Sequence, residues 1–202
     1  MNFHRWPAIK RSAIVTHCDN LATLLGAISC PPQLRDHGEF SAELSLGDIA
    51  HFAGADIALR CSQSMDWKNI ELRRTIIGIV VCWIQRAYPD IDNSAIAEYI
   101  ALLSLWSKGK MTSELIGQGD ALSKEVMAMS AEPPHTSDET AIIQIWMLMQ
   151  VVLGEETEVD RWTNYGAASV AIVGSQLISD ARDDPEEMTR QIRDIVERFP
   201  RT

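Results

Sequence analysis

A long apolar segment in the middle of the chain, residues 66–88, constrains the fold more than any other feature. Its centre, Ile76–Ile84, is almost continuously apolar, and such a run fits a buried helix or a buried strand. The flanking residues continue without a turn signal, so the segment is longer than an ordinary strand and favours a central helix. Pro89 ends it, because proline cannot continue the hydrogen-bond ladder of a helix. A strand over residues 76–84 remains the alternative.

Capping signals and helix breakers divide the rest of the chain into further helices. Ser45–Asp48 has the form of a capping box that opens a short helix ending near Gly54, and residues 33–44 before it are predicted as loop. Asp184 and Pro185 open the last helix, which runs to Phe199. Between these signals, apolar periodicity predicts helices at 12–29, 94–106, 113–130, 141–153 and 159–181.

These segments together predict an all-α fold. We expect a single domain over residues 1–202, with about seven or eight helices in orthogonal or bundle-like packing. Within it, residues 1–60 can form an N-terminal lobe and residues 61–202 the helical core. Apolar residues make up 46% of the chain and charged residues 23%, which excludes a disordered chain.

The net charge of −10 is unevenly distributed along the sequence. Residues 1–110 contain eleven basic and eleven acidic residues, whereas residues 111–202 contain seven basic and seventeen acidic ones. A negative field repels phosphate groups, so neither nucleic acid nor a membrane surface is an expected partner. A basic protein partner is one interpretation of this acidity, and simple solubility is the other.

The cysteines indicate a reducing compartment. Their spacing fits neither a zinc site nor a disulfide framework, which predicts four reduced thiols and a cytoplasmic protein; they are Cys18, Cys30, Cys61 and Cys82. Cys82 lies in the apolar run and is predicted to be buried. Residues 27–30 loosely resemble a lipoprotein cleavage box, but polar residues interrupt the segment before it, so an amphipathic helix fits better.

No common catalytic signature occurs in the sequence. His37-Gly38-Glu39 has the form of a deaminase motif but lacks the cysteines that would complete its zinc site. Asp48 and His51 are three positions apart, and we interpret them as a surface cap and a surface histidine. We therefore predict no catalytic residue, no metal site and no cofactor. The acidic group at residues 180–187 leaves a carboxylate-held metal ion as an alternative.

The candidate partner-binding residues are acidic and lie in the negatively charged part of the sequence. Glu155, Glu156, Glu158 and Asp160 precede Trp162, and tryptophan is favoured at protein interfaces. Asp183 and Glu186 form a second candidate group. Three other tryptophans occupy apolar faces and are predicted to be core residues, namely Trp83, Trp106 and Trp146.

Four features of residues 70–200 occur together in one class of proteins. They are Pro89-Asp90 before an apolar helix, the helix end Leu105–Gly109, the small residues at Tyr165–Ala168, and a charged terminal helix. This layout resembles the all-helical immunity proteins of bacterial polymorphic-toxin systems, although the middle helices here are richer in Ile and Met than in Ala.

The resemblance implies a cytoplasmic protein that neutralises a cognate toxin by occluding it through an acidic surface, with no catalytic residues to carry over. Two alternatives from other classes remain open. One is a helical metal-dependent enzyme with carboxylate ligands, and the other is a structural subunit whose apolar faces complete a homo-oligomer.

Overall fold

The computed structural model describes residues 9–10, 43–89, 94–110, 112, 114, 117–118, 121, 148, 159–181 and 183–201. Within these residues it contains one pair of two-residue strands and six helices of eight residues or more. They are β1 (Ile9–Lys10), β2 (Glu43–Leu44), α1 (Leu46–Ala53), α2 (Ala55–Ser62), α3 (Ile70–Ala87), α4 (Ser94–Ser107), α5 (Val159–Asp180) and α6 (Pro185–Arg198).

The described part is therefore predominantly helical, as expected of an all-α fold. Three of the predicted helices lie wholly or largely outside the described residues, namely 12–29, 113–130 and 141–153. The chain divides into two compact units, one formed by Met1–Asp66 with Ile178–Thr202 and the other by Trp67–Leu177. The first unit thus joins an early segment of the chain to the last helix.

The start of α1 confirms the predicted capping box. The Ser45 hydroxyl accepts a hydrogen bond from the Asp48 amide at 3.0 Å, and the Asp48 carboxylate accepts one from the Ser45 amide at 3.1 Å. Gly54, at φ 91°, ends α1 where the sequence predicts, because a glycine tolerates this left-handed conformation. The chain then enters α2 directly, a helix that our sequence reading did not predict.

In the first unit, α6 packs on both α1 and α2. Ile195 on α6 and Phe199 directly after it are buried, as are Ile49 and Ala50 on α1. The approach is closest at Gly47, where an added Cβ would overlap the carbonyl oxygen of Phe199. Only a glycine fits such a backbone contact.

The strands β1 and β2 also belong to the first unit. They pair in antiparallel fashion, with Ile9 opposite Leu44 and Lys10 opposite Glu43. The predicted loop over residues 33–44 is therefore wrong at its last two residues. A two-residue ladder is too short for the alternating pattern by which strands are recognised.

In the second unit, α3 packs on α4. The long apolar segment is a helix, which excludes the strand alternative, and Asn69 caps it by accepting hydrogen bonds from the amides of Glu71 and Leu72. A Schellman-type turn follows the end of α4 at Ser107: Gly109 has a φ of 68°, and the Lys110 amide donates to the Leu105 carbonyl.

The tryptophans of these two helices are core residues, as predicted. Trp83 and Trp106 are both buried, whereas Trp146 lies outside the described residues. The prediction for Cys82 is wrong, because its side chain is exposed. Cys82 belongs to a more accessible stripe along α3 with helical spacing, formed by Glu71, Thr75, Gly78, Cys82 and Gln85. A helix inside an apolar run still turns one stripe away from its core.

Candidate partner-binding surface

The first predicted acidic group is largely outside the structural description. Glu155, Glu156 and Glu158 lie outside the described residues, and of Asp160 and Trp162 only the backbone, at the start of α5, is described. These last two positions are two residues apart, which separates them by roughly 200° around the helix axis.

The second group lies on an exposed turn between α5 and α6. We define the acidic turn as Asp180, Asp183, Asp184, Glu186 and Glu187, all of which belong to the first compact unit. Asp183 and Glu186, the two predicted contact residues, are both exposed. The structure therefore brings both into one short, accessible segment of the surface.

Asp184 fixes the backbone of this turn. Its Oδ1 accepts hydrogen bonds from the amides of Glu186 and Glu187, at 3.0 and 3.1 Å. Pro185 follows as the first residue of α6, where its missing N–H costs nothing. The predicted N-cap is confirmed, and these two hydrogen bonds fix the backbone at the start of α6.

Arg190 compensates part of the negative charge. It lies one helical turn into α6, 2.9 Å from the carboxylate of Glu186 and 3.6 Å from that of Glu187. The side chain of Glu186 is nevertheless 82% exposed. Ion pairs at such exposure contribute little and exchange readily with other partners. The four-residue spacing from Glu186 to Arg190 is the sequence signal that indicates this pair.

The negative charge does not coincide with one compact unit. The first unit contains ten basic and fourteen acidic residues, a net charge of −4, and the second contains eight and fourteen, a net charge of −6. The acidic residues 111–202 therefore do not form a compact unit of their own. Their last helix, α6, packs on α1 and α2, which belong to the neutral residues 1–110. Any attraction of a basic partner has to come from local groups such as the acidic turn.

A second polar site joins the C-terminal residues to α1. Arg201 Nε lies 3.6 Å from Asp48 Oδ1, and its guanidinium carbon lies 5.4 Å from the centre of the Phe52 ring. The capping role predicted for Asp48 is confirmed, but its predicted place on the surface is wrong, because the side chain is buried beneath this contact; His51 is exposed as expected. Nothing in the local pattern indicates that Arg201 reaches this helix, because the contact joins distant parts of the chain.

Among the described residues, those of the acidic turn included, no three His, Cys, Asp or Glu side chains are arranged to hold a metal ion. The His37–Glu39 motif lies outside them. None of the helices in the described ranges is both long and apolar enough to cross a bilayer.

Comparison with protein-family models, with curated proteins and with solved structures found no match for this chain. The functional assignment accordingly depends on the residues and their geometry.

Proposed function

We propose that the chain is a binding protein that neutralises a cognate bacterial toxin by occluding a basic surface of it. The observation that carries this proposal is the exposure of Asp183 and Glu186 on either side of Asp184, whose side chain caps α6 and orders the backbone there. A preorganised surface loses less conformational entropy on binding than a mobile one. The resemblance to all-helical immunity proteins is the reason for proposing a toxin as the partner.

The acidic turn would act mainly on the rate of encounter. Exposed charges at the edge of an interface steer a partner of opposite charge and change the association rate more than the dissociation rate. Residence time requires buried anchors, and aromatic side chains are the usual ones. In this proposal Trp162 is such an anchor, and Glu155, Glu156, Glu158 and Asp160 add to the steering charge. A cytoplasmic location is part of it too, supported by Cys61 and Cys82, which are both thiols.

The first test measures association with basic proteins encoded beside this chain's gene. We expect Asp183→Lys combined with Glu186→Lys to associate about tenfold more slowly at low salt, and with a weaker dependence on salt. The matched control is Glu98→Lys combined with Glu197→Lys, which makes the same change in net charge at two other exposed positions. This control should associate within about twofold of the wild-type rate, since it leaves the acidic turn itself unchanged.

A second pair of variants tests the first acidic group. Reversing Glu155, Glu156 and Glu158 to Lys should also slow association, whereas Trp162→Ala should speed dissociation, by about 2 kcal/mol for a buried anchor. If both sets of charge reversals bind as fast as the wild type at low salt, the acidity serves solubility and helix capping, and the proposal is wrong.

A further inference from the structure

The helices α1 and α2 are too short to be stable without tertiary contacts. Each has eight residues, and isolated helices shorter than about 12–15 residues are marginal in water. Their apolar side chains are nevertheless deeply buried, with Ile49 and Ala50 at zero exposure and Ala58 at 1%. Since α6 packs on both helices, their stability depends on how firmly the end of the chain is held there.

The residues that follow α6 contact both ends of α1 and so hold α6 against that helix. Phe199 is buried, and its carbonyl lies against Gly47 in the first turn of α1. Arg201 contacts Asp48 in that same turn and lies over the ring of Phe52 in the last turn. The segment 199–201 therefore spans the length of the helix.

The contact of Arg201 with Asp48 is the one in this segment that is most easily disrupted. The side chain of Asp48 is 6% exposed, so its carboxylate depends on nearby donors and on the cation of Arg201. Its other oxygen, Oδ2, accepts hydrogen bonds from the Ser45 amide and hydroxyl, at 3.1 and 2.8 Å. The side chain of Arg201 is 46% exposed, which leaves the cation accessible to solvent and to competing ions.

We propose that residues 199–201 form a strap whose release opens α1 and α2 by local unfolding. Beside the buried Phe199, the strap depends on two contacts of the Arg201 side chain, the ion pair with Asp48 and the cation–π contact with Phe52. It makes the folding of residues 46–62 conditional on the C-terminal residues being in place. Local openings of this kind occur at free energies well below that of global unfolding.

Peptide-resolved hydrogen exchange of the full chain tests the strap. In Arg201→Ala we expect the amides of α1 and α2 to exchange about tenfold faster, since both contacts of the guanidinium are lost. Arg201→Lys should give an intermediate rate, because it keeps the charge but loses the planar group over the ring. The matched control is Arg193→Ala, an exposed arginine of α6 outside the strap, which should stay within about twofold of the wild type.

Amides of α3, in the other unit, serve as the internal reference. Accelerated exchange in α1 and α2 with unchanged exchange in α3 supports the strap. Exchange of α1 and α2 within twofold of the wild type in Arg201→Ala would overturn it. An equal acceleration in α3 would overturn it as well, since the substitution would then act on global stability.

Discussion

The two compact units obtain their helix contacts in different ways. In the first, the eight-residue helix α1 packs on α6, which comes much later in the chain, and Arg201 contacts one residue near each end of α1. In the second, the 18-residue helix α3 packs on its successor α4 through apolar side chains, with Trp83 and Trp106 buried. The comparison teaches that the stability of the first unit depends on particular atoms at a few positions. The stability of the second unit depends on the amount of apolar surface that it buries.

Two helical glycines test this difference most strongly. Gly47→Ala should destabilise the first unit by about 3 kcal/mol, because the new Cβ overlaps the backbone carbonyl of Phe199, which cannot move without shifting α6. Gly78→Ala is the matched change in α3, where the neighbour is the Ser107 side chain at 3.2 Å. There the gain in helix propensity offsets the crowding, and we expect a change within about 0.5 kcal/mol.

Denaturant-dependent hydrogen exchange, resolved by peptide, measures both effects in one chain. Equal destabilisation by the two substitutions would show that the close approach at Gly47 has no special role.

The two N-caps provide a smaller test of the same comparison. Ser45→Ala should cost about 2 kcal/mol in the first unit, since the hydroxyl both caps α1 and donates to the Asp48 carboxylate. Asn69→Ala should cost about 1 kcal/mol in the second unit, because a long helix with an apolar face depends less on its cap. The same exchange experiment gives both values, and a larger loss for Asn69→Ala would contradict the comparison.

Local signals predicted the parts of the fold that local physics determines. The cap at Ser45, the cap at Asp184 and a central helix within residues 66–88 follow from short patterns of sequence, and the structure confirms them, although that helix begins only at Ile70. The sequence analysis does not predict α2, because a glycine at position 54 indicates the end of a helix. In the structure the same glycine ends α1 and begins α2.

Long-range contacts could not be predicted in this way. Phe199 lies close to Gly47, and Arg201 contacts Asp48. Both contacts join residues that are far apart in the sequence, so no periodic sequence pattern indicates them. The exposure of Asp183 and Glu186 was anticipated because acidic residues in a turn and a first helical turn favour solvent and the helix dipole. The ion pair of Glu186 with Arg190 is predictable from their four-residue spacing alone.

The proposed binding surface is tested most directly by carboxyl footprinting of the full chain, alone and bound to the basic protein encoded beside it. Carbodiimide labelling followed by peptide mass analysis reports the accessibility of each carboxylate. We predict that the partner lowers the labelling of Asp183 and Glu186 severalfold and leaves Glu98 and Glu197 unchanged, because the acidic turn is covered in the complex. Unchanged labelling of Asp183 and Glu186 in the complex would contradict a partner bound at the acidic turn.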